Sequence, residues 1–99
     1  MLFETFVEET WRPSIGRLRE CTRVGYESTL RCHILPKWGD ADMDAITAPQ
    51  LEAWLNSFQK AGAARKAWAV FRAILRLAFR KGATDNDVTR REIRLPHLR

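Results

Sequence analysis

Four arginines spaced seven, four and four residues apart are the side chains in this 99-residue chain best suited to binding chemistry. They are Arg65, Arg72, Arg76 and Arg80. In an α-helix they would share one face, about 10 Å and then about 6 Å apart along the axis. Guanidinium groups in such a row can contact successive phosphates, and one or two can enter a major groove. No acidic residue lies four positions from any of them, which favours a nucleic-acid ligand over the alternative, a solvated helix face.

The basic charge is concentrated toward the C-terminus. The formal net charge is +5, and the isoelectric point is about 9.9. Residues 63–99 contain ten Lys or Arg against three acids, a balance of +7, whereas residues 1–62 sum to −2. A basic balance with clustered arginines is the electrostatic signature of a nucleic-acid-binding domain.

The chain shows no catalytic, metal-binding or cofactor motif. It has no nucleophile elbow, Gly-rich phosphate loop, His-Glu-x-x-His or paired-Cys pattern. Cys21 and Cys32 would lie about 16 Å apart on one helix, too far for a disulfide, so we expect both to be reduced and structural. Tyr26 has no Arg/His/Lys cluster that would make it a nucleophile, and we expect it in the core. No metal and no cofactor is predicted.

Length and hydropathy indicate one domain with a modest core of its own. No apolar run approaches the 18 residues of a membrane span, and the N-terminus lacks the features of a secretory signal. A cytoplasmic protein with no membrane partner is therefore expected.

The first half of the chain predicts two helices. Apolar residues at helical spacing place the first at about residues 2–11. Pro13 is expected to end it, because the residue before a proline is pushed out of the helical region. The second is predicted at 22–35, with Thr22 as N-cap and Pro36 as the stop.

The second half predicts two more helices. Thr47 and Gln50 form a capping box before a helix at 48–60, whose apolar face would bury Trp54. The last and longest helix is predicted at 63–81 and is closed by Gly82. Its predicted apolar face consists of Ala67, Val70, Phe71, Ile74, Leu75, Ala78 and Phe79. A fifth short turn is possible at 86–91, and no strand signal is present.

Several short motifs occur along the chain in a definite order. They are Thr22-x-x-x-Tyr26, His33-Ile34-Leu35-Pro36-x-x-Gly39, Ile46-Thr47, Leu51-x-x-Trp54-Leu55 and the run from Phe71 to Ala78. The succession, from about Phe3 to Pro96, resembles the core-binding domain of the tyrosine recombinases, the phage-integrase family.

The resemblance implies an all-α, four- to five-helix bundle of the SAM-like core-binding type at residues 1–89. Residues 90–99 would begin the linker to an absent catalytic domain. In that family the domain clamps the core recombination site during DNA integration and excision. The implied partners are double-stranded DNA, the catalytic domain of the same parent chain and other recombinase protomers on DNA.

The resemblance also implies where chemistry and contacts lie. The family's catalytic residues belong to the absent domain, so this chain by itself is expected not to be an enzyme, although its parent would be a site-specific recombinase of bacterial or phage origin. The family's second and fourth helices face the DNA. Carried over by position, the contacts would be Arg23, Ser28, Arg31, Arg65, Lys66, Arg72, Arg76 and Arg80.

Two other classes of function remain open from the sequence. A stand-alone helical transcription regulator would need two helices joined by a turn of three or four residues. A helical protein-interaction module would show an exposed apolar patch instead of an arginine row.

Overall fold

Four helices account for most of residues 2–84, which are the residues that the computed structural model describes. They are α1 at residues 3–14, α2 at residues 20–38, α3 at Ala48–Asn56 and α4 at Ala61–Arg80, with a short 3-10 turn at Met43–Ala45. Apart from one isolated bridge between Leu2 and Asp42, this part of the chain contains no strand pairing. The predicted all-α class is confirmed. The possible turn at 86–91 and the predicted linker at 90–99 lie outside the described residues.

The prediction that Pro13 ends the first helix is wrong. α1 consists of three successive helical segments, Phe3–Phe6, Val7–Trp11 and Arg12–Ser14, and Pro13 lies inside the last. The Arg12 N–H donates to the Val7 carbonyl, five residues back instead of four. Proline in a regular helix has no N–H to donate and clashes with the carbonyl four residues back. The widened turn shifts the hydrogen-bond register just before the proline, and the helix continues past it.

α2 also contains a widened turn just before its proline and continues past it. The prediction that Pro36 ends this helix is therefore also wrong. Its segments are Glu20–Thr29, Leu30–Ile34 and Leu35–Trp38. The Leu35 N–H donates to the Leu30 carbonyl, again five residues back and again from the residue before a proline. The start of α2 differs as well. Arg19 occupies the extended position before the helix and Thr22 lies within it, so Thr22 is not the N-cap.

The predicted signals at the start of α3 and at the end of α4 are confirmed, whereas α3 ends at Asn56 instead of residue 60 and α4 begins at Ala61 instead of residue 63. The Gln50 N–H donates to the Thr47 hydroxyl at 3.4 Å, and the Thr47 N–H donates to the Gln50 side chain at 3.1 Å. Gly82 adopts a φ of +75°, which non-glycine residues disfavour. The Ala83 N–H reaches back to the Ala78 carbonyl at 2.9 Å, closing α4 in a Schellman motif.

An aromatic cluster centred on Phe71 holds the four helices together. Phe71 is fully buried, and its ring stacks on Phe3 of α1 at a centroid distance of 5.1 Å. Trp38 of α2 and Trp54 of α3 each lie 5.5 Å from it. Trp68, one turn earlier in α4, lies at 6.4 Å. One ring of α4 therefore contacts an aromatic ring from every other helix.

The residues that line the inner face of α2 are buried to different degrees. Leu30 and Ile34 are fully buried, while Tyr26 is half-buried and packs on Trp11 at a centroid distance of 6.1 Å. Cys21 and Cys32 are free thiols, as expected. Both are exposed, so the prediction that they are structural is wrong. Within the described residues, no helix is both long and apolar enough to cross a bilayer.

Replacing Trp54 by Ala should destabilise the domain by about 3–5 kcal/mol, because it leaves a cavity beside Phe71 and Trp38. That is a large fraction of the stability of a small domain. The free energy of unfolding from urea denaturation measures the loss. Asn56→Ala, an exposed change on the same helix, should stay within about 0.5 kcal/mol of the parent. A Trp54→Ala protein as stable as the Asn56→Ala control would contradict this description of the core.

Gly39 lies where the end of α2 meets the start of α1. The Glu4 N–H donates to the Gly39 carbonyl at 3.1 Å, and a β-carbon at Gly39 would lie 2.7 Å from the Leu35 carbonyl oxygen. Gly39→Ala should therefore lower the free energy of unfolding by about 1–3 kcal/mol through overpacking. Gly25→Ala is the control, because nothing lies within 4 Å of a β-carbon there. Equal stability of the two variants would show that the close approach at Gly39 is not a constraint.

Candidate nucleic-acid interface

Packing of the aromatic cluster fixes the rotation of α4 about its own axis. Phe71, Ile74 and Leu75 are buried. At about 100° per residue, the arginines that alternate with this apolar face must point away from the core. Arg65, Arg72, Arg76 and Arg80 are all exposed, and Lys66 is exposed at the flank. On a regular helix the four arginines occupy an arc of about 80°. We call these four residues the arginine stripe.

Within residues 2–84, the arginine stripe has no acidic partner. Residues 53–84 contain seven Lys or Arg and no Asp or Glu. Ion pairs in the described part of the chain involve other arginines, Arg12 and Arg31. Exposed surface helices are commonly stabilised by acid–base pairs three or four residues apart. Among the described residues, the stripe is instead a row of positive charge with no ion-pair partner, the electrostatic form that phosphate groups complement.

The prediction that Phe79 belongs to the apolar face of α4 is wrong, because this residue lies on the exposed side of the helix. Its side chain is 37% exposed. Counting about 100° per residue, Phe79 falls about 20° from Arg72 around the helix. The apolar face of α4 therefore ends at Ala78, and the last turn presents an aromatic ring beside the arginine stripe.

The three predicted contact residues of α2 do not form a single row. Arg23, Ser28 and Arg31 are all exposed. Arg23 and Ser28 are five positions apart, which separates them by about 140° around the helix, with Arg31 between them. Arg31 is also the only one of the three with an ion-pair partner among the described residues, since its Nε lies 3.2 Å from Glu27 Oε1.

Sequence reasoning missed a chain of alternating charges that joins α1 to α2. The guanidinium of Arg12 donates hydrogen bonds to both carboxylate oxygens of Glu27, from Nη2 to Oε1 at 2.7 Å and from Nε to Oε2 at 3.3 Å. Its Nη1 donates to Glu8. Two of the contacts, Glu8–Arg12 and Glu27–Arg31, join residues four apart, and that spacing is visible in the sequence. The Arg12–Glu27 contact spans two helices, and no local pattern indicates it.

A shallow groove of ≈ 410 Å³ lies near the start of α4, between α2 and α3. Its lining includes Cys32, His33, Phe58 and Lys60. The rings of His33 and Phe58 lie 5.1 Å apart. Within residues 2–84, no three His, Cys, Asp or Glu side chains are placed to hold a metal ion. The exposed arginine stripe is therefore the candidate site on the described surface.

Part of the chain matches a known protein family. Residues 2–59, more than half of the chain, match the model of a protein family described as the phage integrase N-terminal SAM-like domain. The matched part spans α1, α2 and α3 and ends just before α4. No curated protein and no solved structure shows a significant match.

Proposed function

Because this chain belongs to the family of phage integrase N-terminal SAM-like domains, we propose that it binds double-stranded DNA as the core-binding domain of a phage-integrase-type tyrosine recombinase. In this role it clamps the core recombination site while DNA is integrated or excised. The observation that carries the proposal is the arginine stripe, which is exposed and has no acidic partner among the described residues.

The stripe supports phosphate binding more strongly than it supports a solvated surface. A helix face whose only role is solubility gains from mixed charge, because pairs three or four residues apart stabilise the helix while like charges repel. α4 has no acid along its length. The cost of that repulsion is offset when the phosphates of a duplex lie against the stripe.

Contacts from α2 complete the proposed interface. Arg23, Ser28 and Arg31 are assigned to it with Lys66 of α4, in keeping with the two helices that face DNA in tyrosine recombinases. Because their side chains diverge around α2, we assign the uniform phosphate contacts to the arginine stripe. We assign Arg23, Ser28 and Arg31 of α2 to contacts in a DNA groove. There the Ser28 hydroxyl and the two guanidinium groups can reach base edges.

The remaining parts of the proposal concern the parent protein. Strand cleavage is assigned to a catalytic domain of the same chain, joined through a linker at residues 90–99 that follows the core-binding domain at 1–89. Other protomers would assemble on the same DNA, in the cytoplasm of a bacterial cell. The domain alone would bind the site without cutting it.

The geometry does not favour the two alternative classes. The segment between α2 and α3 covers residues 39–47, longer than the turn of a helix-turn-helix unit. The exposed large apolar side chains of the described residues are four, on separate parts of the chain, namely Leu2, Leu18, Val24 and Phe79. They do not supply the contiguous patch of a protein-interaction module.

The isolated domain should bind duplex DNA weakly and with little sequence preference, at roughly 10⁻⁴–10⁻⁶ M. With about four to six phosphate contacts, the logarithm of the binding constant should fall against the logarithm of salt concentration with a slope of about −4 to −5. Fluorescence anisotropy of a labelled duplex at several salt concentrations measures both quantities. Binding that does not respond to salt would contradict an electrostatic interface.

Replacing Arg72 and Arg76 together by Ala should weaken DNA binding at least about tenfold at low salt and lower the salt slope by about two units. Alanine keeps helix propensity high, so the fold should survive. The matched control is Arg17→Ala with Arg19→Ala, which removes the same charge from exposed residues before and at the start of α2. The control should change binding much less than the stripe variant. Equal binding by the parent and a folded stripe variant would reject the proposed interface.

A further inference from the structure

We propose that Glu27 is a positioning residue, which holds the guanidinium of Arg31 in the orientation that meets DNA. The inference rests on the proposed function, because it concerns how one contact of the DNA-binding surface is presented. It assigns a role to an acidic side chain on α2, where a negative charge would otherwise oppose the binding of a polyanion.

The contacts of Glu27 are divided between two arginines. Its Oε1 accepts from Arg12 Nη2 at 2.7 Å and from Arg31 Nε at 3.2 Å. Its Oε2 accepts from Arg12 Nε at 3.3 Å. The carboxylate is therefore fixed from the side of α1 by Arg12, and it offers a held acceptor to Arg31 one turn further along α2.

The two arginines are used differently. Arg12 places Nε and both terminal nitrogens on carboxylates, and its side chain is 31% exposed. Arg31 uses Nε alone, and its side chain is 73% exposed. The two terminal nitrogens of Arg31 make no ion pair within residues 2–84. These two nitrogens form the fork of N–H donors with which an arginine can bind a phosphate or the edge of a guanine through two parallel hydrogen bonds.

The hydrogen bond at Nε restrains the exposed side chain of Arg31. An unrestrained arginine loses rotamer freedom when it binds, and a side chain ordered beforehand loses less. The charge of Glu27 is meanwhile balanced locally, because Glu8, Arg12, Glu27 and Arg31 alternate in sign and sum to zero. Glu27 can thus orient Arg31 without adding a net negative charge to the surface.

Replacing Glu27 by Ala separates positioning from simple electrostatics. Removing an acid raises the formal net charge from +5 to +6, which by charge alone strengthens DNA binding. If Glu27 positions Arg31, Glu27→Ala should instead weaken binding, by about threefold at low salt, and Arg31→Ala should weaken it by about fivefold. The double variant should bind no more weakly than Arg31→Ala, because both changes remove the same contact.

Two further variants refine the test. Glu27→Gln should weaken binding less than Glu27→Ala, because an amide oxygen in place of Oε1 can still accept from Arg31 Nε and Arg12 Nη2, while only the bond from Arg12 Nε to Oε2 is lost. Glu20→Ala is the control, because it removes an exposed acid from the same helix and should not weaken binding. Thermal unfolding of each protein shows whether the helices remain assembled.

The outcomes distinguish this inference from the proposed function. Binding by Glu27→Ala that is equal to or tighter than that of the parent, while Arg31→Ala still weakens it, would overturn the positioning role and leave DNA binding intact. Loss of every effect, including that of the Arg72 and Arg76 substitutions, would overturn the proposed function itself. Should Glu27→Ala fail to fold, Arg31→Lys carries the test. Lysine keeps the charge but has no Nε to hold and no fork to present, and parent-like binding by Arg31→Lys would overturn the inference.

Discussion

The contact of Phe71 with one aromatic ring from each of the other three helices is the constraint on which the rest of this domain depends. Phe3, Trp38 and Trp54 approach Phe71 from α1, α2 and α3, with centroid distances of 5.1 to 5.5 Å. An interior packed this closely fixes both the position and the rotation of the helix that carries the central ring. The arginine stripe follows from that rotation, because Arg72 is the next residue after Phe71 and Arg76 lies one turn beyond it.

Sequence reasoning predicted the helices and the stripe because both depend on local periodicity. The capping box at Thr47 and the positive φ at Gly82 are also local, and the structure confirms them. The ends of α1 and α2 could not be predicted, because the rule that a helix stops before proline holds for a regular helix. A turn widened by one residue bypasses that rule, and nothing in the sequence around Pro13 or Pro36 indicates such a turn.

The charge chain from Glu8 to Arg31 shows a second limit of local patterns. Its two i, i+4 pairs are visible in the sequence, but its central contact joins Arg12 to Glu27 across two helices. Because of this pairing, Arg12 is held between two carboxylates, whereas the terminal nitrogens of Arg31 make no ion pair within residues 2–84. For Phe79, a local pattern predicted too much. Apolar residues continue along α4 to Phe79, but Ala78 is the last of them that is buried.

The seven basic residues without an acid in residues 53–84 also affect the folded state itself. Like charges fixed along one helix repel each other and destabilise the compact form, and dissolved ions reduce that repulsion. Added salt therefore acts in opposite directions on the two equilibria: it stabilises the folded domain while it weakens attraction to a polyanion. A bound DNA duplex would neutralise this repulsion. It would also stabilise the folded domain, because a ligand that binds only the native state raises the stability of that state. If the domain binds DNA as proposed, its folding and its DNA binding are thermodynamically linked through the arginine stripe.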